Sequence, residues 1–287
     1  MTDQSRGAGI IAFQGAPGAN SDVACRIVHP EMRTLPCKSF EDAFAAVRTG
    51  RADLAMIPIE NSIAGRVADV HHLMPDSGLY IVGEHFQPIR HQLLGNQDAS
   101  LETIRSVHTH VHALGQCRRR IAQLGLEPVV AADTAGAAAE LAAHPDPTRA
   151  VIATTLAAEI YGLKILERDI EDAEHNTTRF LILSRDRAAY PAIDTPTITT
   201  FVFQVRSVPA ALYKALGGFA TNGINLTRLE SYMLGGHFVA TQFYADAEGH
   251  PDQPAMRRAF EELDFFTERF ELLGAYPAHP YRALAGR

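Results

Sequence analysis

The 287-residue sequence lacks the features that mark exported, membrane-spanning and disulfide-bonded proteins. Its cysteines, Cys25, Cys37 and Cys117, are odd in number and have no CxxC spacing, which argues against a disulfide framework or a structural zinc site. No apolar run approaches the ~20 residues of a transmembrane helix, and the first seven residues lack the apolar stretch of a signal peptide. These absences predict a protein of the reducing cytoplasm with no membrane partner.

Lysine is also scarce, because Lys38, Lys164 and Lys214 are the only lysines in the sequence. The 26 Lys and Arg residues stand against 33 Asp and Glu residues, which gives a net charge of −7. Since nucleic-acid binding draws most of its affinity from neutralised phosphates, this balance predicts no nucleic-acid partner.

What is present is typical of a globular protein of about two domains, with 46% hydrophobic and 21% charged residues. From residue 10 to about residue 153, short apolar runs alternate with helical patterns, which predicts α/β lobes with parallel sheets. Residues 189–196 contain two prolines and little periodicity, so we interpret them as a linker. Residues 197–278 then follow a β-α-β-β-α-β order, which is ferredoxin-like and includes a turn at Gly235 and Gly236.

Apolar runs and capping residues place the elements of the first part. Residues 10–13 predict a strand, and residues 54–57 predict a buried strand that ends at Pro58. One predicted helix carries its apolar face on Leu114, Cys117, Ile121 and Leu124. The predicted helix N-caps are Ser21, Ser39, Asp133 and Thr154.

Polar residues follow the predicted strands at 10–13 and 54–57, at the edge where α/β sheets bind ligands. Residues 15–18, Gly-Ala-Pro-Gly, open a helix as an anion cradle does, but they are neither a Walker loop nor a full GxGxxG and also fit an ordinary tight turn. Glu60, Asn61 and Ser62 indicate either a functional site or a helix cap.

Two further polar segments allow similar alternatives. On an extended segment, one face would carry His108, His110 and His112. The segment lies at a predicted strand-to-helix transition, which breaks that common face, so we expect no bound metal. We expect instead a helix cap at Thr109 and one imidazole, that of His110, facing a ligand. Residues 176–180, Asn-Thr-Thr-Arg-Phe, precede an apolar strand and indicate either a wall of the crevice or a solvated surface.

Taken in order, these segments resemble prephenate dehydratases, in the branch that also resembles plant arogenate dehydratases. The resemblance rests on residues 13–21 (FQGAPGANS), 57–62 (IPIENS), 91–94 (HQLL), 107–110 (VHTH), 113–117 (ALGQC), 133–138 (DTAGAA), 150–153 (AVIA), 157–163 (AAEIYGL) and 176–180 (NTTRF). Residues 209–212 (PAAL) and 223–231 (GINLTRLES) resemble the ACT regulatory domain of the same family.

The resemblance implies a catalytic domain over residues 8–188 with two lobes like those of type-2 periplasmic binding proteins. The lobes would span about 8–84 with 176–188, and 85–175; the linker at 189–196 and an ACT domain at 197–278 would follow. The implied reaction converts prephenate to phenylpyruvate, water and carbon dioxide towards L-phenylalanine. This carbon-oxygen lyase reaction needs no metal, flavin or nicotinamide cofactor.

The resemblance also implies roles for residues. Thr178 would act on the leaving hydroxyl, as a positioned donor because threonine is a very weak acid. Arg179 would bind a carboxylate or orient its loop, and Glu60 would relay a proton or, as we favour, anchor the loop. Amides at the start of the first helix would contact the substrate. The implied substrate contacts are Gln14, Ala19, Asn20, Ser21, Asn61, Ser62, Thr109, His110, Asn176 and Phe180.

For regulation, the resemblance implies L-phenylalanine as a possible effector. The implied effector-binding residues are Ala210, Ala211, Leu212, Asn225, Leu226, Glu230 and Ser231. Three departures from the family pattern stand out: Ala210 replaces a glycine, Tyr232-Met233 replaces Arg-Pro, and Val111-His112 replaces Pro-Gln.

Two other functions stay open at this point. The same chemistry on arogenate would give phenylalanine directly, and a non-catalytic amino-acid sensor could use the same lobes and ACT module. Because an ACT domain of about 80 residues is small for a self-sufficient core, we expect a homo-oligomer, a dimer or tetramer, formed partly through ACT domains.

Overall fold

The computed structural model describes residues 9–206, 208–233 and 240–285. These residues divide into two compact units. The first unit holds residues 9–70 and His85–Phe180, and the second holds His71–Glu84 and residues 181–285. The predicted turn at Gly235 and Gly236 lies outside the described residues.

Strands and helices alternate along most of the chain. The strands are β1 (Ile10–Gln14), β2 (Arg33–Cys37), β3 (Leu54–Asn61), β4 (Gly65–Arg66), β5 (Tyr80–Pro88), β6 (Gln92–Gly95), β7 (Ser106–Thr109), β8 (Glu127–Val130), β9 (Arg149–Ala153), β10 (Lys164–Glu167), β11 (Thr177–Ser184), β12 (Thr197–Val205), β13 (Leu226–Met233), β14 (Ala240–Glu248) and β15 (Thr267–Pro277). The helices are α1 (Asn20–Val28), α2 (Phe40–Arg48), α3 (Ala68–Leu73), α4 (Val111–Gln116), α5 (Arg118–Gln123), α6 (Thr134–Ala143), α7 (Thr155–Tyr161), α8 (Ala211–Thr221), α9 (Pro254–Phe266) and α10 (Tyr281–Ala285). Among the described helices, none has both the length and the apolar character needed to cross a bilayer.

The first unit contains two lobes, each built on one sheet. In the first lobe the strand order is β2-β1-β3-β11-β5, with β4 paired to β3. Strand β1 runs parallel to both β2 and β3, and Phe13 pairs with Pro36 on one side and Met56 on the other. The carboxyl ends of β1 and β3 therefore reach the same edge of the sheet, where α/β folds place their ligand sites.

The second lobe has the strand order β10-β6-β9-β7-β8. Strand β7 is parallel to β8 and β9, whereas β6 is antiparallel to β9 and β10. The parallel pairs follow the predicted alternation of strands and helices. The antiparallel strand does not, because β6 enters this lobe directly from β5 without a helical crossover to reverse the chain.

Three of the four predicted N-caps are present in the structure. The side chains of Ser39, Asp133 and Thr154 each accept a hydrogen bond from the backbone three residues later, which confirms these N-caps. The predicted cap at Ser21 is wrong, because the N-cap of α1 is Ala19 and the helix begins at Asn20.

Two predicted boundaries also differ from the structure. Strand β3 continues past Pro58 to Asn61, beyond the end of its ladder with β1 at Met56, and its last two residues pair with β4. The helix predicted through Leu124 is two helices, α4 and α5. They meet at Cys117, whose backbone (φ −124°, ψ 21°) leaves the helical region while its side chain stays buried.

Side chains of the second lobe hold the loop that precedes α1. The Thr154 hydroxyl donates to the Gly18 carbonyl at 2.5 Å and accepts from the Ala157 amide at 3.0 Å. The Tyr161 hydroxyl donates to the Pro17 carbonyl at 2.9 Å. Gly18 has a φ of +87°, and a Cβ placed on it would lie 2.7 Å from the Cα of Ala157. Glycine is therefore required here by both its backbone conformation and its close contact.

In the second unit, β12 to β15 form an antiparallel sheet in the order β13-β14-β12-β15. The elements follow one another as β-α-β-β-α-β, and α8 and α9 pack with the sheet around a phenylalanine-rich core. Phe201 lies at the centre of this core, fully buried and stacked on Phe219 at 5.5 Å between ring centroids.

Residues 71–84 belong to the second unit through buried polar contacts. Arg282 donates two hydrogen bonds to the carboxylate of Glu84, at 2.7 and 2.8 Å. His71 bonds the Tyr232 hydroxyl through Nδ1 at 2.7 Å and the Arg228 guanidinium through Nε2 at 3.0 Å.

We expect Gly18→Ala to destabilise the protein more than Gly125→Ala does. Alanine costs about 1–2 kcal/mol in the left-handed region at either position. A Cβ at residue 18 also meets Ala157, whereas a Cβ on Gly125, whose φ is +63°, meets nothing within 4 Å. Urea unfolding of both variants measures the difference. Equal shifts of the unfolding midpoint would contradict the close contact at residue 18.

Candidate active site

A cavity of about 600 Å³ lies in the first unit, between its two lobes. The first lobe contributes Gln14, Asn20, Ser21, Phe40, Pro58, Asn61, residues 64–69, Thr178 and Phe180. The second lobe contributes Ile89, His91, His110, His112, Ala113, Gln116 and Thr134. A molecule bound in this cavity would contact both lobes.

Asn61 joins the end of β3 to the start of β11. Its Nδ2 donates to Oδ1 of Asn176 at 2.7 Å and to Oγ1 of Thr178 at 3.0 Å. Its Oδ1 accepts from the backbone amides of Ile63 and Ala64 at 2.9 and 2.8 Å. Asn61 therefore closes the turn between β3 and β4 with one atom and holds β11 with the other, and it is not a helix cap.

The bond from Asn61 fixes the polarity of the Thr178 hydroxyl. Because an amide nitrogen can only donate, Oγ1 of Thr178 is the acceptor in that bond, and its own hydrogen is available for another partner. Thr178 lines the cavity. It can therefore donate a hydrogen bond to a molecule bound there.

Ser62 forms a second connection between the same two segments. Its hydroxyl donates to the His175 carbonyl at 2.8 Å and accepts from the Thr177 amide at 2.9 Å, and its own amide donates to the Thr177 carbonyl at 2.8 Å. These three bonds set the register of the polar segment that carries Thr178. Ser62 itself does not line the cavity in the described structure.

Glu60 and Arg179 form an ion pair behind the cavity wall. Nη1 of Arg179 lies 3.1 Å from Oε1 of Glu60, and the exposed fraction of the side chain is 2% for Arg179 and 38% for Glu60. Neither residue is among the lining residues of the described structure. A buried arginine needs such a partner, so this pair supports the anchoring interpretation of Glu60.

The loop between β1 and α1 uses its amides internally. Gly15 donates to the Cys37 carbonyl, Ala19 to the Ala16 carbonyl, and Gly18 to the carboxylate of Asp22, which is fully buried. These amides do not form an anion cradle, because protein oxygens already accept from them. Gln14, Asn20 and Ser21, which flank these three amides, line the cavity.

His110 begins α4 and caps it. Its Nδ1 accepts from the backbone amide of His112 at 3.3 Å, so the neutral ring carries its hydrogen on Nε2. The predicted cap at Thr109 is wrong, since that side chain is fully buried and donates to the Ile152 carbonyl. Burial, and secondly the neighbouring His112, lower the pKa of His110, while Asp133 acts in the opposite direction. His110 is therefore a neutral donor.

His91 and Gln116 form a second polar pair on this wall. Nε2 of His91 lies 2.8 Å from Oε1 of Gln116, and the His91 ring is 3% exposed. Burial lowers the pKa of His91. A neutral His91 that donates through Nε2 leaves the amide hydrogens of Gln116 available to the cavity, which Gln116 lines.

The predicted contacts thus fall into two groups. Those that line the cavity are Gln14, Asn20, Ser21, Asn61, His110, Thr178 and Phe180. Those that lie behind the wall or away from it are Ala19, Glu60, Ser62, Thr109, Asn176 and Arg179. Sequence reasoning missed several lining residues, notably Phe40, Arg66, Asp69, His91, His112 and Gln116. His91 and Gln116 stand in the quoted HQLL and ALGQC segments, and His112 stands in the histidine triplet, so these three positions carried a signal.

The three cysteines lie in the interior of the described structure. Cys25, Cys37 and Cys117 are free and buried, and burial raises the pKa of each thiol. Within the described residues, no group of three His, Cys, Asp or Glu side chains could hold a metal ion.

The cavity presents donors on both walls and aromatic rings at its sides. Thr178, His110 and Gln116 can donate hydrogen bonds, and Arg66 supplies a permanent positive charge. Phe40 and Phe180 offer apolar surface. This arrangement suits a ring that carries negative groups and a hydroxyl.

Comparison with known proteins agrees with this chemistry. A family model described as prephenate dehydratase matches residues 11–188. The chain belongs to the prephenate dehydratase family. Members of this family are lyases that act on carbon-oxygen bonds.

Relatives extend the likeness along nearly the whole chain. A bifunctional N-acyl-homoserine lactone acylase/prephenate dehydratase of Komagataeibacter europaeus is 55% identical over 273 residues, which cover 95% of this chain and 97% of that protein. The chloroplastic arogenate dehydratase/prephenate dehydratase 2 of Arabidopsis thaliana is 37% identical over 93% of this chain and 72% of its own. A solved prephenate dehydratase of Arthrobacter aurescens in complex with L-Phe is 31% identical, with a TM-score of 0.86 and 96% of each chain covered.

Proposed function

We propose that this cavity converts prephenate to phenylpyruvate, water and carbon dioxide. The observation that carries the proposal is the hydrogen bond from Nδ2 of Asn61 to Oγ1 of Thr178 at 3.0 Å, because it leaves the threonine hydroxyl as a donor into the cavity. Membership of the prephenate dehydratase family supports the same reaction. A direct test is phenylpyruvate formation from prephenate by the purified protein.

The reaction requires few catalytic groups. The bond between the ring and its hydroxyl breaks, the bond between the ring and its carboxylate breaks, and the freed electron pair makes the ring aromatic. The departing hydroxide takes up a proton and leaves as water. A donor aimed at the developing charge in a water-poor cavity is worth ~3 kcal/mol. The Thr178 hydroxyl supplies that hydrogen bond, and orientation by the two walls supplies much of the remainder.

The cavity lining offers one cation and several neutral donors to the two carboxylates of prephenate. Arg66 stands on the first lobe together with the carboxylate of Asp69, and neutral donors at His110 and Gln116 stand on the second lobe. Burial of the substrate ring against Phe40 and Phe180 would exclude water from the breaking bonds. The side chains of Glu60 and Arg179 act through each other, by holding the segment that carries Thr178.

Arogenate is the alternative substrate, in which an ammonium replaces the keto group. Asp69 lines the cavity and is a carboxylate that an ammonium could pair with. The relative in Arabidopsis thaliana has both substrates in its name. Side-by-side assays with prephenate and arogenate compare the two substrates by kcat/KM. Absence of turnover of both substrates would favour a non-catalytic amino-acid sensor.

A second candidate activity comes from the 55% identical relative, whose name includes N-acyl-homoserine lactone acylase. Such a substrate is uncharged and would not need Arg66. Release of homoserine lactone from an N-acyl-homoserine lactone tests this activity. If Thr178→Ala removes only prephenate turnover, the two activities use different groups.

For the second unit we propose an ACT domain that binds L-phenylalanine. Its β-α-β-β-α-β element order and its strand order β13-β14-β12-β15 are those of a ferredoxin-like domain. The L-Phe complex of the Arthrobacter aurescens relative supports the effector. We keep the division into a catalytic domain (8–188), a linker (189–196) and an ACT domain (197–278), a cytoplasmic location, and a dimer or tetramer as parts of this proposal.

The proposed effector residues lie at the start of α8 and along β13. Ala210 is the N-cap of α8 in the left-handed conformation, followed by Ala211 and by Leu212, which packs on the core. The side-chain amide of Asn225 donates through Nδ2 to Oε2 of Glu248 at 3.0 Å. Leu226 is the first residue of β13. Glu230 accepts from Arg228 at 3.2 Å, and Ser231 is exposed.

We expect Thr178→Ala to lower kcat by about 100-fold or more while KM changes little, because the lost donor acts mainly in the transition state. Thr178→Ser keeps the hydroxyl and should retain most of the turnover. Steady-state kinetics on prephenate measure both. Wild-type turnover by the alanine variant would overturn the role of Thr178.

We expect Arg179→Lys and Glu60→Gln each to lower kcat/KM about tenfold, because lysine does not reproduce the geometry of a guanidinium and glutamine removes the charge. The double variant should be little worse than either single one, since both changes break the same pair. Arg149→Lys, in the Arg149–Glu140 pair outside the cavity, is the matched control and should leave kcat/KM unchanged. Additive losses would show that the two residues act independently.

We expect Ala210→Gly to raise the free energy of unfolding by about 0.5–1 kcal/mol, because it relieves a φ of +62° at the cost of a more flexible unfolded chain. Ala220→Gly on the exposed face of α8 is the matched control and should lower the free energy of unfolding by about 1 kcal/mol.

Calorimetry of both variants with L-phenylalanine tests effector binding at this loop. If L-phenylalanine gives no heat and no loss of activity in any form, effector binding is excluded.

A further inference from the structure

His112 is a lining residue of the cavity to which the proposed mechanism has given no role. It stands on the first turn of α4, and its ring lies 5.0 Å from the His110 ring between centroids, at an interplanar angle of 43°. The two imidazoles therefore form one surface on the second lobe. This surface faces the same cavity as Thr178.

The two rings differ in what they can do. His110 has Nδ1 committed to the amide of His112, and protonation at Nδ1 would break that cap. It therefore stays a neutral donor. The backbone of His112 makes that bond, and its ring lines the cavity beside the ring of His110. The His112 ring is therefore placed to bond a ligand that reaches this wall.

The second lobe contributes no arginine or lysine to the lining residues of the described structure. His91, the third histidine on this wall, is buried and engaged with Gln116. A carboxylate that points to this lobe can therefore meet a positive charge from a histidine only. The other charged or titratable groups around the pair are Asp133 beside His110, and Arg66 and Asp69 on the opposite wall.

We propose that His112, in its protonated form, binds one carboxylate of the substrate and makes substrate affinity depend on pH. This inference rests on the proposed function and adds a binding group on the second lobe. An imidazole gains its charge between about pH 8 and pH 5. Because only the charged ring forms a charge-assisted hydrogen bond, KM falls as the pH is lowered and rises as the ring loses its proton.

The test is the pH dependence of KM and kcat for prephenate between pH 6 and pH 8.5. We expect the wild-type KM to rise about tenfold across this range while kcat changes much less, since the loss of one charge-assisted bond is worth about that factor. His112→Gln keeps a hydrogen-bond donor but no charge, and should have a high KM at every pH. His112→Lys keeps the charge, and should have a low KM that no longer depends on pH.

His144→Gln is the matched control, because it makes the same change at an exposed position of the second lobe outside the cavity. It should retain the wild-type profile, and thermal unfolding of all variants checks that the fold is intact. A wild-type KM that is flat with pH, or a His112→Gln variant that keeps the wild-type slope, would overturn the role of His112. Absence of prephenate turnover by the wild type at every pH would instead reject the proposed function.

Discussion

The candidate site depends on one amide side chain. Asn61 lies where β3 ends, and its two ends bind in opposite senses: Oδ1 accepts from the turn to β4, while Nδ2 donates to Asn176 and Thr178 at the start of β11. Segments that are more than 100 residues apart in the chain are thereby held at hydrogen-bond distance. A side chain with only donors or only acceptors could not satisfy both segments.

The direction of the hydrogen bond from Asn61 to Thr178, rather than its length, determines what the Thr178 hydroxyl can do in the cavity. Since Nδ2 of Asn61 can only donate, the hydroxyl of Thr178 accepts from it and presents its hydrogen to the cavity. The Glu60–Arg179 pair and the bonds of Ser62 hold the same segment from behind. Residues outside the cavity lining therefore set the orientation of a lining residue, and in the proposed mechanism this orientation makes the Thr178 hydroxyl a useful donor although threonine is a weak acid.

The cavity wall formed by the second lobe differs in its chemistry from the wall formed by the first lobe. The second lobe offers imidazoles and an amide in place of fixed cations, and His110 and His91 are held neutral by burial. The loop from Pro17 to Ala19 belongs to the first lobe but is held by Thr154 and Tyr161 of the second. A glycine at residue 18 is required for this contact, because a Cβ there would lie 2.7 Å from the Cα of Ala157. The close approach of the two lobes at this point therefore depends on a residue without a side chain.

Local features could be predicted from the amino-acid order: the alternation of strands and helices, the caps at Ser39, Asp133 and Thr154, and the polar segments around Asn61 and Thr178. These features depend on residues within about four positions of each other, so spacing reveals them. The set of side chains that line the cavity follows from tertiary packing. Thr109 and Arg179 lie in the quoted motifs but are buried away from the cavity, whereas Arg66 and Asp69 line it without a motif that marks them as ligands. Whether a side chain faces the cavity or the core depends on packing between distant segments, and local spacing carries no information on that packing.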